Sequence, residues 1–184
     1  MKEIMTRLMM PLLIIIAVTV FTLDAHAEDG WRFLPRGCEF SVKFPGKPKI
    51  YDVTILPIGK VQTADYRGGS GKASDSYFFI AECITISHED ILKHYKNIET
   101  YLLNSAQAYA DANGIQKPEF KYMTDSLGFG ILMRGYKRIS GVNVIYSSLT
   151  LVGERSLISL RTGSAAQNFP PPGMTIFMGS IRKE

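Results

Sequence analysis

The 184-residue chain predicts an α+β fold, an antiparallel sheet covered by one long helix (about 88–113) and a short C-terminal helix. Three observations point there. Runs of alternating apolar and polar residues lie on both sides of a single amphipathic stretch. Gly, Pro, Asn and Ser separate those runs at hairpin distances rather than crossover distances. A short apolar segment then follows the last strand-like run.

Residues 38–44 open the pattern. Cys38, Phe40, Val42 and Phe44 face one way and Glu39, Ser41 and Lys43 the other, which is a half-buried strand. Pro45-Gly46 ends it, and Pro48 keeps the chain extended. "IYDVTILPI" (50–58) is a second strand. Residues 60–66 and 77–86 form a third region, broken by "RGGSGKASDS", a flexible hairpin tip. That tip contains "GSGK" but is no phosphate loop: Tyr66 stands where the first glycine belongs, and Ala73 follows Lys72.

The helix begins at Ser87, a natural N-cap, with Glu89 and Asp90 in its first turn. Ile91, Tyr95, Ile98, Leu102, Ala106 and Tyr109 make one apolar stripe, and Asn113-Gly114 stops it before Pro118. Strands follow at 119–123, 127–139, 142–152 and 156–163, with a tight hairpin at Ser140-Gly141. Ile176, Phe177 and Ile181 place a final helix back on the sheet.

The first residues read as an export signal. Lys2 and Arg7 precede an apolar run from Leu8 to Leu23, and Ala25-His26-Ala27 supplies a small-x-small cleavage pattern. The run is short for a membrane span of roughly 20 residues, which disfavours an uncleaved anchor. The expectation is cleavage after Ala27, a single domain over 28–184, and a periplasmic location. In that oxidising compartment Cys38 and Cys83 are expected to form a structural disulfide. The alternative is two buried thiols on strands that never come within about 7 Å.

Residues 1–27 hold two basic and two acidic side chains, so their removal leaves the net charge at +4. Lys43, Lys47 and Lys49 cluster near one strand end and are the candidates to face a partner; Arg134, Lys137 and Arg138 cluster near another. Such surfaces suit an acidic protein, the cell wall or peripheral contact with an anionic membrane, and the commoner reading of them is an ordinary solvated face. No basic stripe with interleaved aromatics suggests nucleic acid.

Little catalytic chemistry is legible. His88 and His94 are about 240° apart on a helix, while Asp90 and His94 share a face but read better as an exposed pair than as metal ligands. No Gly-x-Ser-x-Gly elbow occurs. Glu82, a carboxylate inside an apolar strand, must lie at a sheet edge, pair with a base, or act functionally. No cofactor, metal or catalytic residue is therefore assigned.

The pattern "CEFSVKFPGKPK", a long helix, "RGYKR", "SLISLRTG" and "IFMGSIRKE" resembles exported bacterial proteins with a PsbP-like fold. The resemblance implies an α+β sandwich that works through protein surfaces, with no catalytic residues to carry over. Two functions follow as expectations. The first is a non-enzymatic periplasmic interaction module that binds an envelope protein, as an accessory of a complex or as an immunity-type inhibitor. The second is a small-ligand binder or hydrolase with a site assembled from scattered polar residues.

Overall fold

Antiparallel pairing, rather than helix, organises the folded chain. The computed structural model describes residues 30–55, 59–86, 88–94 and 97–184. The predicted export signal (1–27), residues 28–29 and 56–58, the predicted Ser87 cap, Tyr95 of the predicted stripe and the side chains of His88 and His94 lie outside the described residues. Among the described residues there are ten strands: β1 (Trp31–Phe33), β2 (Phe40–Phe44), β3 (Lys49–Ile55), β4 (Gly59–Gly68), β5 (Tyr77–Thr85), β6 (Gln116–Asp125), β7 (Gly128–Ile139), β8 (Val142–Val152), β9 (Ser156–Ala165) and β10 (Arg182–Lys183). The helices are α1 (His88–His94), α2 (Ile98–Ala112) and α3 (Met174–Gly179).

These strands build two sheets. The larger has the order β3-β4-β5-β9-β8-β7-β6, and the smaller β1-β2-β10. The chain meanders through β3, β4 and β5, crosses by α1 and α2 to the far edge, and meanders back until β9 closes against β5. Ser140 and Gly141 both take positive φ (49° and 83°), the requirement of a two-residue turn that matches strand twist.

Each face of the larger sheet buries its own core. On one side Ile91, Ile98, Leu102, Ala106 and Ala110 of the helices meet Ile131, Met133, Val152 and Leu157. On the other, the smaller sheet and α3 pack Phe33, Phe40, Phe44 and Phe177 against Phe79, Leu149 and Leu160. Phe177 is fully buried, with its ring centroid 4.9 Å from both Phe44 and Phe79, so one side chain joins α3 to both sheets. Burying a residue of that size stabilises by about 2–3 kcal/mol, which is why a six-residue helix holds its place.

The predicted α+β sandwich under one long helix is not what forms. The fold is mostly antiparallel β, and the stretch 88–113 is divided into α1 and α2. Asn97 explains the division: its backbone is extended (φ −159°, ψ 166°), and its Oδ1 accepts the Thr100 N–H at 2.7 Å, starting a new helix. The predicted first strand also belongs to the smaller sheet, not the main one. The tail does not end as a helix, because β10 follows α3 and pairs with β2.

β2 differs from a half-buried strand in a second way. Glu39 and Ser41, expected on the solvent side, are 3% and 0% exposed. The Glu39 carboxylate accepts the N–H groups of Arg155 (3.1 Å) and Ser156 (3.3 Å), and its own N–H donates to Ser156 Oγ at 3.0 Å. Ser41 Oγ bonds the Glu184 carboxylate and receives Arg32 Nη1 at 2.7 Å. The C-terminal residues therefore cover what alternation alone assigns to water.

The Ser41 hydroxyl, and secondarily Arg32, hold the Glu184 carboxyl below its ordinary value of 4.5. A carboxyl depressed on folding contributes stability above its unfolded value and loses it as pH falls through the folded one. Glu184→Gln is thus expected to lower the urea midpoint at pH 6, with a difference that shrinks as pH falls below 4.5. A midpoint difference independent of pH between 6 and 3 would show that the charge plays no part.

Candidate functional site

The β3–β4 corner presents an open edge of the larger sheet. β3 is an edge strand paired with β4 across all seven residues, from Lys49↔Asp65 to Ile55↔Gly59, with no bulge. Lys49, Ile50, Tyr51, Asp52 and Thr54 are exposed, Ile50 at 41% and Tyr51 at 38%. Among the described residues no backbone hydrogen bond beyond the β3–β4 ladder reaches this strand. Its outer row of N–H and C=O groups is a template for a further strand.

The opposite edge is built differently. β6 carries Pro118, Lys117 at φ 47°, and a register irregularity between Gln116 and Glu119, three devices that interrupt edge pairing. Its exposed Tyr122 lies against Phe129, ring centroids 5.9 Å apart.

Lys47 and Lys49 flank β3 and share a hollow of about 310 Å³ with Asp65, Tyr66 and Arg67. The turn at Pro45-Gly46 sets Lys47 there: a Cβ on Gly46 would stand 2.7 Å from the Tyr66 ring. Among the described residues neither lysine has a carboxylate partner, although Lys49 Nζ stands 5.8 Å from the Tyr51 ring centroid. Lys43 is not part of this hollow; it sits half-buried in β2, opposite Arg32, with its N–H on Ser180 Oγ at 2.7 Å. The second basic cluster is occupied by the fold. Arg134 stacks on Phe169 at 4.5 Å, and Lys137 Nζ donates to the Asn113 carbonyl at 2.7 Å.

Arg67 connects this hollow to a second, of about 470 Å³, lined by Gly68, Gly69, Phe78, Ile139, Val144 and Tyr146 among others. Asp65 Oδ2 accepts both Nε (3.1 Å) and Nη2 (2.9 Å) of Arg67, and these bonds raise the guanidinium pKa. The other oxygen of Asp65 is buried without a partner among the described residues. Burial, with the nearby Tyr109, pushes the Tyr146 hydroxyl up, so it stays neutral.

The glycine-rich tip beside it is bonded rather than loose. Asp75 accepts the Ser70 N–H at 2.8 Å, Ser76 Oγ donates to the Lys72 carbonyl at 2.8 Å, and the Asn168 amide donates to the Ser74 carbonyl at 2.7 Å.

No protein-family model and no curated protein matches this chain. A crystal structure of a protein from Bacteroides thetaiotaomicron superposes with a TM-score of 0.45 at 7% identity. The match covers 84% of this chain and 48% of the other, so the chain spans about half that protein's length. A likeness of that size transfers neither fold nor function.

Cys38 and Cys83 form a disulfide with their Cα atoms 6.1 Å apart, tying the segment before β2 to β5. Glu82 takes the paired reading: it lies within the sheet and forms an ion pair with Arg161. Among the described residues no three His, Cys, Asp or Glu side chains gather into a metal site, and no helix is long and apolar enough to cross a membrane. The sequence reading missed Arg67 as a site residue. Its available signal was a guanidinium placed between a strand and a run of glycines.

Proposed function

We propose that this is an exported, non-enzymatic interaction module of the periplasm that receives an extended acidic segment of an envelope protein along β3. The observation that carries the reading is the contrast between the two edges of one sheet. β6 is blunted, whereas β3 is regular, exposed and flanked by two unpaired lysines. Strand addition takes its affinity from main-chain hydrogen bonds and its selectivity from side chains beside the edge. Here Ile50 and Tyr51 supply apolar contact, and Lys47 and Lys49 favour acidic residues on the incoming strand. The disulfide supports export, because such bridges persist in oxidising compartments. The apolar run and Ala25-His26-Ala27 at the chain start support it from sequence.

A photocrosslinking side chain tests this. With p-benzoylphenylalanine at Tyr51, irradiation of intact cells is expected to give a discrete adduct with an envelope protein. The same group at Lys121 on β6 is expected to give none, and Lys47→Glu/Lys49→Glu to deplete the Tyr51 adduct. Equal adducts from both edges, or none from Tyr51, would remove the reading.

A further inference from the structure

We propose that the glycine-rimmed hollow beside Arg67 binds a small organic anion, one with a flat apolar body and a single acidic head group. Size comes first. At about 470 Å³ the hollow lies within the range of sites that enclose small molecules. Its floor is aromatic: the Phe78 and Tyr146 rings lie 5.5 Å apart, and the strand between them contributes Gly163. A Cβ at Gly163 would stand 2.5 Å from a Phe78 ring carbon, so the bare backbone lets that ring lie down on the sheet. Ile139 and Val144 complete an apolar wall. A flat apolar group fits such a surface by stacking.

The charge around the mouth selects the head group. Arg67 lines this hollow and the neighbouring one, which also presents Lys47 and Lys49. Asp65 lines the neighbouring hollow, where its Oδ2 already receives two Arg67 donors, and the Asp75 carboxylate of the rim is engaged by the Ser70 N–H. Those two bonds to one oxygen orient the guanidinium, while Nη1 has no acceptor among the described residues. An oriented fork with free donors is suited to a carboxylate or sulfonate. The bonded tip of the β4–β5 hairpin supplies a rim already in place, so little ordering is needed when the ligand arrives.

Two dyes separate these elements. 1-Anilinonaphthalene-8-sulfonate has a flat apolar body and one anionic head; N-phenyl-1-naphthylamine has the body alone. The folded protein is expected to bind the sulfonate saturably at one site. Arg67→Met is expected to weaken the sulfonate about tenfold while changing the neutral dye less than about twofold, as loss of one charge-assisted bond requires. Ile139→Trp, at an exposed wall position, is expected to weaken both dyes, with unchanged thermal unfolding showing that the fold persists. Lys121→Gln, on β6 and outside both hollows, is expected to leave both unchanged, which shows that the loss belongs to the hollow and not to surface charge in general. Non-saturating fluorescence, or affinities indifferent to both hollow variants, would overturn the proposal. Arg67-dependent co-sedimentation with phosphatidylglycerol vesicles, without saturable binding of the free dye, would also overturn it, by assigning the cation to a membrane surface.

Discussion

Replacing Cys38 and Cys83 together by alanine is expected to destabilise the protein by about 3–4 kcal/mol, visible as a fall in thermal midpoint of about 10 °C. The magnitude follows from chain length: the bridge joins positions 45 apart, so closing it removes much of the freedom of the unfolded segment. The native structure adds a reason for the full effect to appear. The bridge links the segment between β1 and β2 of the smaller sheet to β5 inside the larger one. Between those cysteines run β2, β3 and β4, which belong to different sheets, so no local hairpin already closes the whole segment. Urea unfolding of the native and double-alanine proteins measures the loss, and the bridged form is also expected to show a smaller m-value because its unfolded state stays more compact. A midpoint change below about 2 °C, equivalent to less than 1 kcal/mol for a domain of this size, would show that the Phe44–Phe177–Phe79 contacts hold the layers unaided.

The strands were legible in the sequence because alternation is a local signal, and β2, β5, β7, β8 and β9 lie close to where it places them. Sheet membership is not local. Nothing within residues 38–44 says that β2 pairs with β1 and β10, and for that reason Glu39 and Ser41 read as solvent-facing when later chain covers them. The undivided helix failed for a related reason. Ile91, Ile98 and Leu102 stay in phase across the break, so the apolar stripe runs on while the backbone at Asn97 does not. Of the candidate site, Lys47 and Lys49 were readable as a basic strand flank. The openness of β3 was not, because edge position depends on the whole strand order. Glu82 was visible as an anomaly, but its partner lies 79 positions away.

That partnership yields the second large effect. Arg161→Met is expected to cost about 3 kcal/mol, because it leaves the Glu82 carboxylate among apolar neighbours without its counter-charge. The strand register makes the pair: Glu82 stands opposite Ser159 and Ile80 opposite Arg161, so the two charged groups are diagonal neighbours on one face of the sheet. Only 15% of the Arg161 side chain and 21% of Glu82 are exposed. Burial works against the Arg161 charge, but attraction from Glu82 and Tyr109 outweighs it and raises the guanidinium pKa. The guanidinium also lies 5.1 Å from the Tyr109 ring, so the same residue fastens α2 to the sheet. Its Nε is buried without a partner among the described residues, which makes the arrangement an imperfect one that apolar groups can replace. Glu82→Leu/Arg161→Met is therefore expected to recover most of the loss, and a double-mutant cycle on urea midpoints is expected to return a coupling of about 2 kcal/mol. If Arg161→Met alone costs less than about 0.5 kcal/mol, the pair behaves as a solvated surface bridge. In that case the hold of α2 on the sheet rests on the apolar contacts of Ile98, Leu102 and Ala106.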